Sequence, residues 1–379
     1  MKIVCDNKIP FLKGALEPYA EVVHLPGKET TPEVVKDADA LITRTRTACN
    51  ASLLDGSSVK VIATATIGFD HIDTGWCESH GIVWRNAPGC NSWSVKQYIA
   101  AALVTLARRH GLAFGDLTLG VVGVGNVGSK VAEVGEILGM KVLRNDPPRA
   151  RAEGEEEFVS LDEIVSASDI ITVHVPLTRG GEDATLHLFD EGRIGSLRPD
   201  QILINSSRGP VVDNKALKAA LQGGKLRGAV LDVWEGEPEL DPELVSLLDL
   251  STPHIAGYSA DGKANGTTMS VRTIARELGL PLTDWVATDI PSPEQSLSFE
   301  LDAAGKSTQE VLTEAILYTY DITADSDRLR ACLSQFERLR GDYQVRREFT
   351  AFTVRLKNAG PDQTSRLAAL GFNIANNND

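Results

Sequence analysis

An apolar strand at Leu117–Val122 runs directly into Gly123-Val124-Gly125-Asn126-Val127-Gly128, and this junction constrains the fold more than any other stretch of the chain. A helix-period segment follows to Leu138, then Gly139, then a second strand at Lys141–Leu143 ending near Asp146. Each glycine has a separate physical reason. Gly123 permits the tight turn, Gly125 lets the backbone approach a pyrophosphate, and Gly128 lets helix and strand pack closely. The helix start offers free N–H groups and a positive dipole end to phosphates, with Asn126 and Val127 at its lip. Asp146 lies 18 residues past Gly128, where a carboxylate accepts from ribose hydroxyls and repels a 2′-phosphate. The unit predicts a Rossmann domain that binds NAD in preference to NADP. Arg144 and Arg149 flank Asp146 and soften that preference.

The chain has 379 residues, enough for two or three domains that each bury a core. No apolar run approaches the roughly 20 residues of a membrane span. The N-terminus reads as a short strand and turn rather than a signal peptide. A net charge of −14 argues against a nucleic-acid surface, so any anionic ligand needs locally placed arginines. The cysteines (Cys5, Cys49, Cys77, Cys90 and Cys332) are odd in number, scattered and without C-x-x-C spacing. Reduced thiols in a cytoplasmic protein are expected, with neither a zinc site nor a disulfide framework.

Before the fingerprint, strands are expected at Lys2–Cys5, Glu21–Leu25, Ala40–Thr43, Val59–Ala63 and Gly81–Trp84, with helical stretches between them, including residues 10–20. Such alternation means a mostly parallel sheet covered on both faces. A long helix from about Ser92 to Arg109 leads into the nucleotide-binding part, which continues with strands at Ile170–Val175, Ile202–Asn205, Gly228–Val233 and near Leu250–Thr252. Near Gly257 the chain returns to the first domain through a helix at about Gly266–Gly279. The expected fold class is α/β: a discontinuous flavodoxin-like substrate domain (residues 1–93 and 257–286), a Rossmann domain (94–256) and a small C-terminal α/β dimerisation domain (287–379). Within the last, helices are expected at Thr308–Tyr320, Ser326–Arg340 and Thr364–Leu370, and strands at Phe349–Leu356 and the end of the chain. This appendix is read as burying little against the Rossmann core, its amphipathic helices needing a partner.

Ligands of open parallel sheets sit beyond the carboxyl ends of strands. Three chemically able residues follow such ends: Arg208, Glu237 and His254. A planar guanidinium can hold a carboxylate. An imidazole can take a hydroxyl proton, and a carboxylate can fix its tautomer. Spacing alone leaves structural roles open for all three. Asp232, ending a buried strand, is either a contact to a nicotinamide carboxamide or a satisfied structural carboxylate. His174 reads as structural.

The set Gly123-x-Gly125-x-x-Gly128, Asp146, Asn205-Ser-Ser-Arg208-Gly-Pro, Leu231-Asp-Val-Trp-Glu-Gly-Glu237-Pro and Pro253-His254-Ile-Ala-Gly257 resembles the D-isomer-specific 2-hydroxyacid dehydrogenases. The resemblance implies that His254 is the acid/base, Glu237 its partner and Arg208 the anchor of a substrate carboxylate. A narrower resemblance, over the whole chain, rests on Ala63-Thr-Ala-Thr66-Ile-Gly-Phe-Asp-His71, Ala87-Pro-Gly-Cys-Asn91, Asp146-Pro-Pro-Arg149 and His254-Ile-Ala-Gly-Tyr258-Ser259 with Gly262-Lys263. It points to the branch that oxidises 4-phospho-D-erythronate in pyridoxal 5′-phosphate biosynthesis and dimerises through its tail.

That branch implies substrate contacts from Thr45, Thr66 and Tyr258, and NAD contacts from Asp146, Asp232 and Gly257. Val175 stands where the family commonly carries Thr beside the cofactor, which leaves at most a backbone contact there. Arg44, next to Thr45, is the expected phosphate ligand. Arg346 and Arg347 are further candidates, with a solvated pair as the alternative reading. The rivals are another enzyme of the family, such as a 3-phosphoglycerate dehydrogenase, and an NAD-sensing binding protein.

Overall fold

The computed structural model describes residues 1–375. They form two compact units, Met1–Asn91 with Tyr258–Pro291, and Ser92–Gly257 with residues 292–375.

The first unit holds a five-stranded parallel sheet of β1 (Lys2–Asp6), β2 (Glu21–Leu25), β3 (Ala40–Thr43), β4 (Val61–Thr64) and β5 (Val83–Arg85), in the doubly wound order β2-β1-β3-β4-β5. Its central strands are continuous apolar runs because both faces are covered. Alternate residues serve separate cores. Ile3, Ile42 and Ala63 pack with Val271 and Ile274 of the Ala260–Leu278 helix, whereas Val4, Leu41 and Ile62 pack with Val35, Leu54 and Cys77. That helix starts where the Ser259 hydroxyl accepts from the Gly262 amide at 2.8 Å, six residues earlier than the sequence suggests. The helix expected over residues 10–20 does not form. Pro10 and Pro18 bracket a run of turns in which Phe11 and Gly14 take left-handed conformations.

The second unit holds β6 (Thr118–Val122), β7 (Lys141–Asn145), β8 (Ile170–Val173), β9 (Ile202–Asn205), β10 (Gly228–Leu231) and β11 (Leu250–Ser251), all parallel, in the order β11-β10-β9-β8-β6-β7. The first crossover adds β7 on one side of β6 and the next adds β8 on the other, so the switch point lies at the carboxyl end of β6. The Ser92–His110 helix is buried along most of its length, including Ser94, Lys96 and Gln97.

A smaller parallel sheet in the same unit, ordered β12-β13-β14, comprises β12 (Ser298–Asp302), β13 (Thr353–Lys357) and β14 (Asn373–Ile374). The sequence does not announce β12, an edge strand whose Ser298, Glu300 and Asp302 face outward. The helix expected at Ser326–Arg340 is broken into Ile322–Ala331, a 3-10 turn and Phe336–Gly341.

The tail is not an appendix. Val311, Leu312, Ala315 and Ile316 enter the same core as Ile99, Leu103, Leu119 and Val131. Ser94 donates to Glu348 at 2.8 Å, Gln97 to the Arg347 carbonyl at 2.9 Å, and Arg366 to the Ile137 carbonyl at 2.7 Å. The amphipathic helices find their apolar partner in this chain, which corrects the expectation that they stand apart. Among the described residues no helix is long and apolar enough to cross a membrane.

Candidate active site

The turn after β6 is built by steric exclusion. Gly123 has φ +83, and a Cβ there would lie 2.7 Å from the His174 carbonyl oxygen and from Val175 Cγ1. A Cβ on Gly128 would lie 1.8 Å from the Gly123 carbonyl oxygen, so helix and turn touch backbone to backbone. Gly125 differs, since nothing lies within 4 Å of its would-be Cβ. It precedes the Asn126–Leu138 helix, whose first turn has no side-chain cap, and Gly125 and Asn126 are exposed, Val127 partly so. An uncapped helix start with open space at one glycine suits a pyrophosphate.

Asp146 follows β7 as expected. One oxygen accepts from the Val124 amide at 2.8 Å and the other from the Arg149 amide at 3.1 Å, which holds the carboxylate against the glycine turn with lone pairs remaining for ribose hydroxyls. Arg149 is tied to Glu153 and to the Val124 carbonyl, and Arg144 to Glu136, so neither cation is free for a 2′-phosphate. His174, at the end of β8, bonds the Thr172 hydroxyl at 2.9 Å. Desolvation pushes it down to about 3, so it is neutral at pH 7. The structural reading of His174 stands. Val175 packs its side chain against Gly123, beside the turn.

Arg208, Glu237 and His254 follow β9, β10 and β11, three adjacent strands. His254 Nδ1 lies 2.9 Å from Glu237 Oε2, and Glu237 Oε1 accepts from the Trp234 amide at 2.9 Å. The carboxylate only accepts, so Nδ1 carries the proton and Nε2 is left as the basic nitrogen. His254 is partly buried and sits at φ +57, unusual for a residue with a side chain. The Arg208 loop braces itself: Asn205 accepts from the Ser207 amide and hydroxyl and donates to the Arg208 carbonyl at 3.0 Å. A Cβ on Gly209 would lie 1.9 Å from the Trp234 carbonyl oxygen, so this loop abuts the segment leading to Glu237.

Asp232 is 1% exposed. Its Oδ1 accepts from the Thr252 hydroxyl at 2.6 Å and the Ile255 amide at 2.7 Å, and its Oδ2 from the Ala256 amide at 2.9 Å. It therefore anchors the backbone between His254 and Gly257, and any carboxamide contact has to share Oδ2. Gly257 is partly exposed at the end of that backbone.

In the first unit, Arg44 leaves β3 half-buried and donates to the Lys8 carbonyl at 3.2 Å, while Thr45 and Arg46 are exposed in the turn that follows. Thr66 donates to the Gly68 carbonyl and meets the Thr64 hydroxyl, both at 2.8 Å. The Lys263 ammonium stands 5.0 Å over the Tyr258 ring. Arg346 is no solvent-facing phosphate ligand: it is 2% exposed and donates to the Ile255 and Ala256 carbonyls at 3.2 and 2.6 Å. Sequence reading missed this role, since only a buried environment distinguishes Arg346 from its neighbour Arg347.

A family model described as the D-isomer specific 2-hydroxyacid dehydrogenase, NAD binding domain, matches residues 85–256, and a domain of unknown function matches residues 293–371. An erythronate-4-phosphate dehydrogenase of Bacteroides fragilis is 50% identical over 93% of this chain and 99% of its own length. The chain belongs to the erythronate-4-phosphate dehydrogenase family. Its Proteus mirabilis member is 42% identical over 98% of this chain and 99% of its own. Among solved structures, a D-lactate dehydrogenase of Aquifex aeolicus complexed with NAD and lactic acid superposes with a TM-score of 0.62 at 28% identity, over 77% of this chain and all of that one. As a member of this family the chain is an NAD-dependent dehydrogenase, with NAD as cofactor. The glycine turn, the uncapped helix start and Asp146 fit that cofactor.

Proposed function

We propose that the chain oxidises 4-phospho-D-erythronate at C2 to (R)-3-hydroxy-2-oxo-4-phosphooxybutanoate, with NAD as acceptor, as a step of pyridoxal 5′-phosphate biosynthesis. The observation that carries this reading is the 2.9 Å pair of His254 and Glu237 at adjacent strand ends, in a chain half identical to a relative so named. NAD held at the glycine turn would supply the acceptor for the C2 hydride. His254 Nε2 takes the hydroxyl proton as the C2–O bond becomes a carbonyl, and Glu237 stabilises the imidazolium through Nδ1. Arg208 holds the substrate carboxylate, and its braced loop fixes the guanidinium's origin.

In the same reading Arg44 meets the phosphate, and Thr45, Thr66 and Tyr258 contact the substrate. Support comes from the place of Arg44 and Thr45 beyond the carboxyl end of β3 and from the need for local cations on a chain of charge −14. A homodimer formed through the C-terminal segment belongs to the proposal. Tyr318, 37% exposed and stacked on Phe299, and Val345, 38% exposed, offer it an apolar surface. A cytoplasmic location suits Cys5, Cys49, Cys77 and Cys90, which are buried free thiols.

The test is a panel of 2-hydroxy acids read as NADH formed. The reading expects 4-phospho-D-erythronate to be strongly preferred. Preference for 3-phosphoglycerate would reassign the substrate, and no NADH with any acid would favour a binding protein. Sedimentation of the intact chain reports the dimer.

A further inference from the structure

We infer that Arg346, in the segment that the domain of unknown function matches, is a positioning residue for His254, so that the tail holds the active-site loop in its working shape. The inference rests on the reading of His254 as the base.

The backbone from Ile255 to Ala256 lies between two opposite charges. Asp232 takes the amides of both residues, and the Arg346 guanidinium donates to the carbonyls of both through Nη2. The clamp follows directly on His254, whose φ of +57 is a conformation that persists only where the surroundings over-determine it. The His254 amide adds a third tie, donating to the Asp232 carbonyl at 2.8 Å. Remove the guanidinium and two buried carbonyls lose their donor, on the side of the loop that Asp232 does not reach.

A buried guanidinium is costly unless its surroundings accept the charge. Here they are built to do so. The cation lies 4.5 Å from the centre of the Tyr320 ring and 5.9 Å from that of Tyr343. Both phenols donate to buried Asp325, at 2.8 and 2.6 Å, which fixes the rings around the guanidinium. Among the described residues Nε and Nη1 have no hydrogen-bond partner, so the group is not there to satisfy its own donors. Among the described residues its hydrogen bonds go to the two loop carbonyls alone. A second tie joins the same regions, with the Ser251 amide at the end of β11 donating to the Ser326 hydroxyl at 3.0 Å.

The experiment compares Arg346→Met, Arg346→Lys and Leu367→Ala with the unaltered enzyme and with His254→Ala. Leu367 is a buried residue of the tail outside the clamp. Each protein is loaded with NAD and mixed with 4-phospho-D-erythronate in a single turnover. The amplitude counts working sites, and the rate constant reports the chemistry at each. Displacing a reacting group by on the order of 1 Å costs about 100-fold. Arg346→Met is therefore expected to lower the rate constant by about 10- to 100-fold with NADH affinity within about threefold, and Arg346→Lys to restore part of it. Leu367→Ala is expected to lower thermal stability, with the rate constant at each working site unchanged. An Arg346→Met enzyme with the unaltered rate constant, or one that loses only amplitude, overturns the inference. If Arg346→Met does not fold, Arg346→Lys decides on the same two readings. Full turnover in His254→Ala instead refutes the assignment of the base, whatever the arginine variants do.

Discussion

The loop after β6 and the loop after β11 both belong to the candidate active site, yet they are held in opposite ways. The first is a matter of volume: a side chain on Gly128 would collide with the Gly123 carbonyl five residues earlier, and one on Gly123 with the backbone of His174 at the end of the neighbouring strand. The second is a matter of polar satisfaction. His254 depends on Asp232, Glu237 and Thr252 nearby and on Ser326 and Arg346 from the tail. A steric device tolerates no substitution. A polar device recruits distant groups and fails by degrees.

The comparison is tested most severely at His254. His254→Ala should lower turnover by about 10²- to 10⁴-fold while NAD still binds, because the base is lost and the glycine loop is untouched. Steady-state rates with a direct NAD titration check this, and a variant above half the normal rate removes His254 from its role.

Two alanines then separate packing from binding within the glycine loop. Gly128→Ala forces a methyl onto the Gly123 carbonyl and should cost about 3 kcal/mol of stability. Gly125→Ala meets open space, so its thermal midpoint should stay normal while NAD binds about tenfold more weakly, or about 1.4 kcal/mol. Equal melting points for the two variants would mean that the loop is not sterically held.

Asp146→Ala should shrink the preference for NAD over NADP by about tenfold or more, since hydrogen bonds to a charged group are worth about 1.5–3 kcal/mol. It also removes the cap of the Pro147–Glu153 helix, about 1 kcal/mol, so the ratio of the two affinities is the quantity to measure. An unchanged ratio would move ribose recognition elsewhere.

A separate test concerns His174. Its folded-state value of about 3 lies below the ordinary 6.5, so the unfolded chain binds the extra proton and stability falls as pH drops from 6.5 toward 3. From pH 7 to pH 5 this amounts to about 2 kcal/mol, which His174→Asn should abolish. Urea unfolding at both pH values measures it, and equal losses in the two proteins would show that His174 is not buried neutral.

The nucleotide-binding loop and most strands were legible in the amino-acid sequence, because most of their causes act over short range, whereas spacing gave Arg208, Glu237 and His254 only their strand-end places and the family resemblance implied their roles. The backbone clash at Gly128, apolar runs such as Ile202-Leu203-Ile204 and capping at Asp146 depend on immediate neighbours. What lay outside the reach of pattern was every effect whose partners are far apart along the chain. The helices of the tail show an apolar face, but not that Ile99 and Leu103 cover it. β12 looks polar until β13 supplies its hydrogen bonds. Arg346 and Arg347 are adjacent and chemically identical, and only the enclosure of Arg346 by Tyr320, Tyr343 and the Ile255–Ala256 carbonyls gives it a distinct role. Sequence fixes which groups can interact over a turn or a strand. Tertiary structure decides which desolvated charge meets which backbone, because that depends on packing between segments more than 80 residues apart, such as Arg346 and the loop it holds.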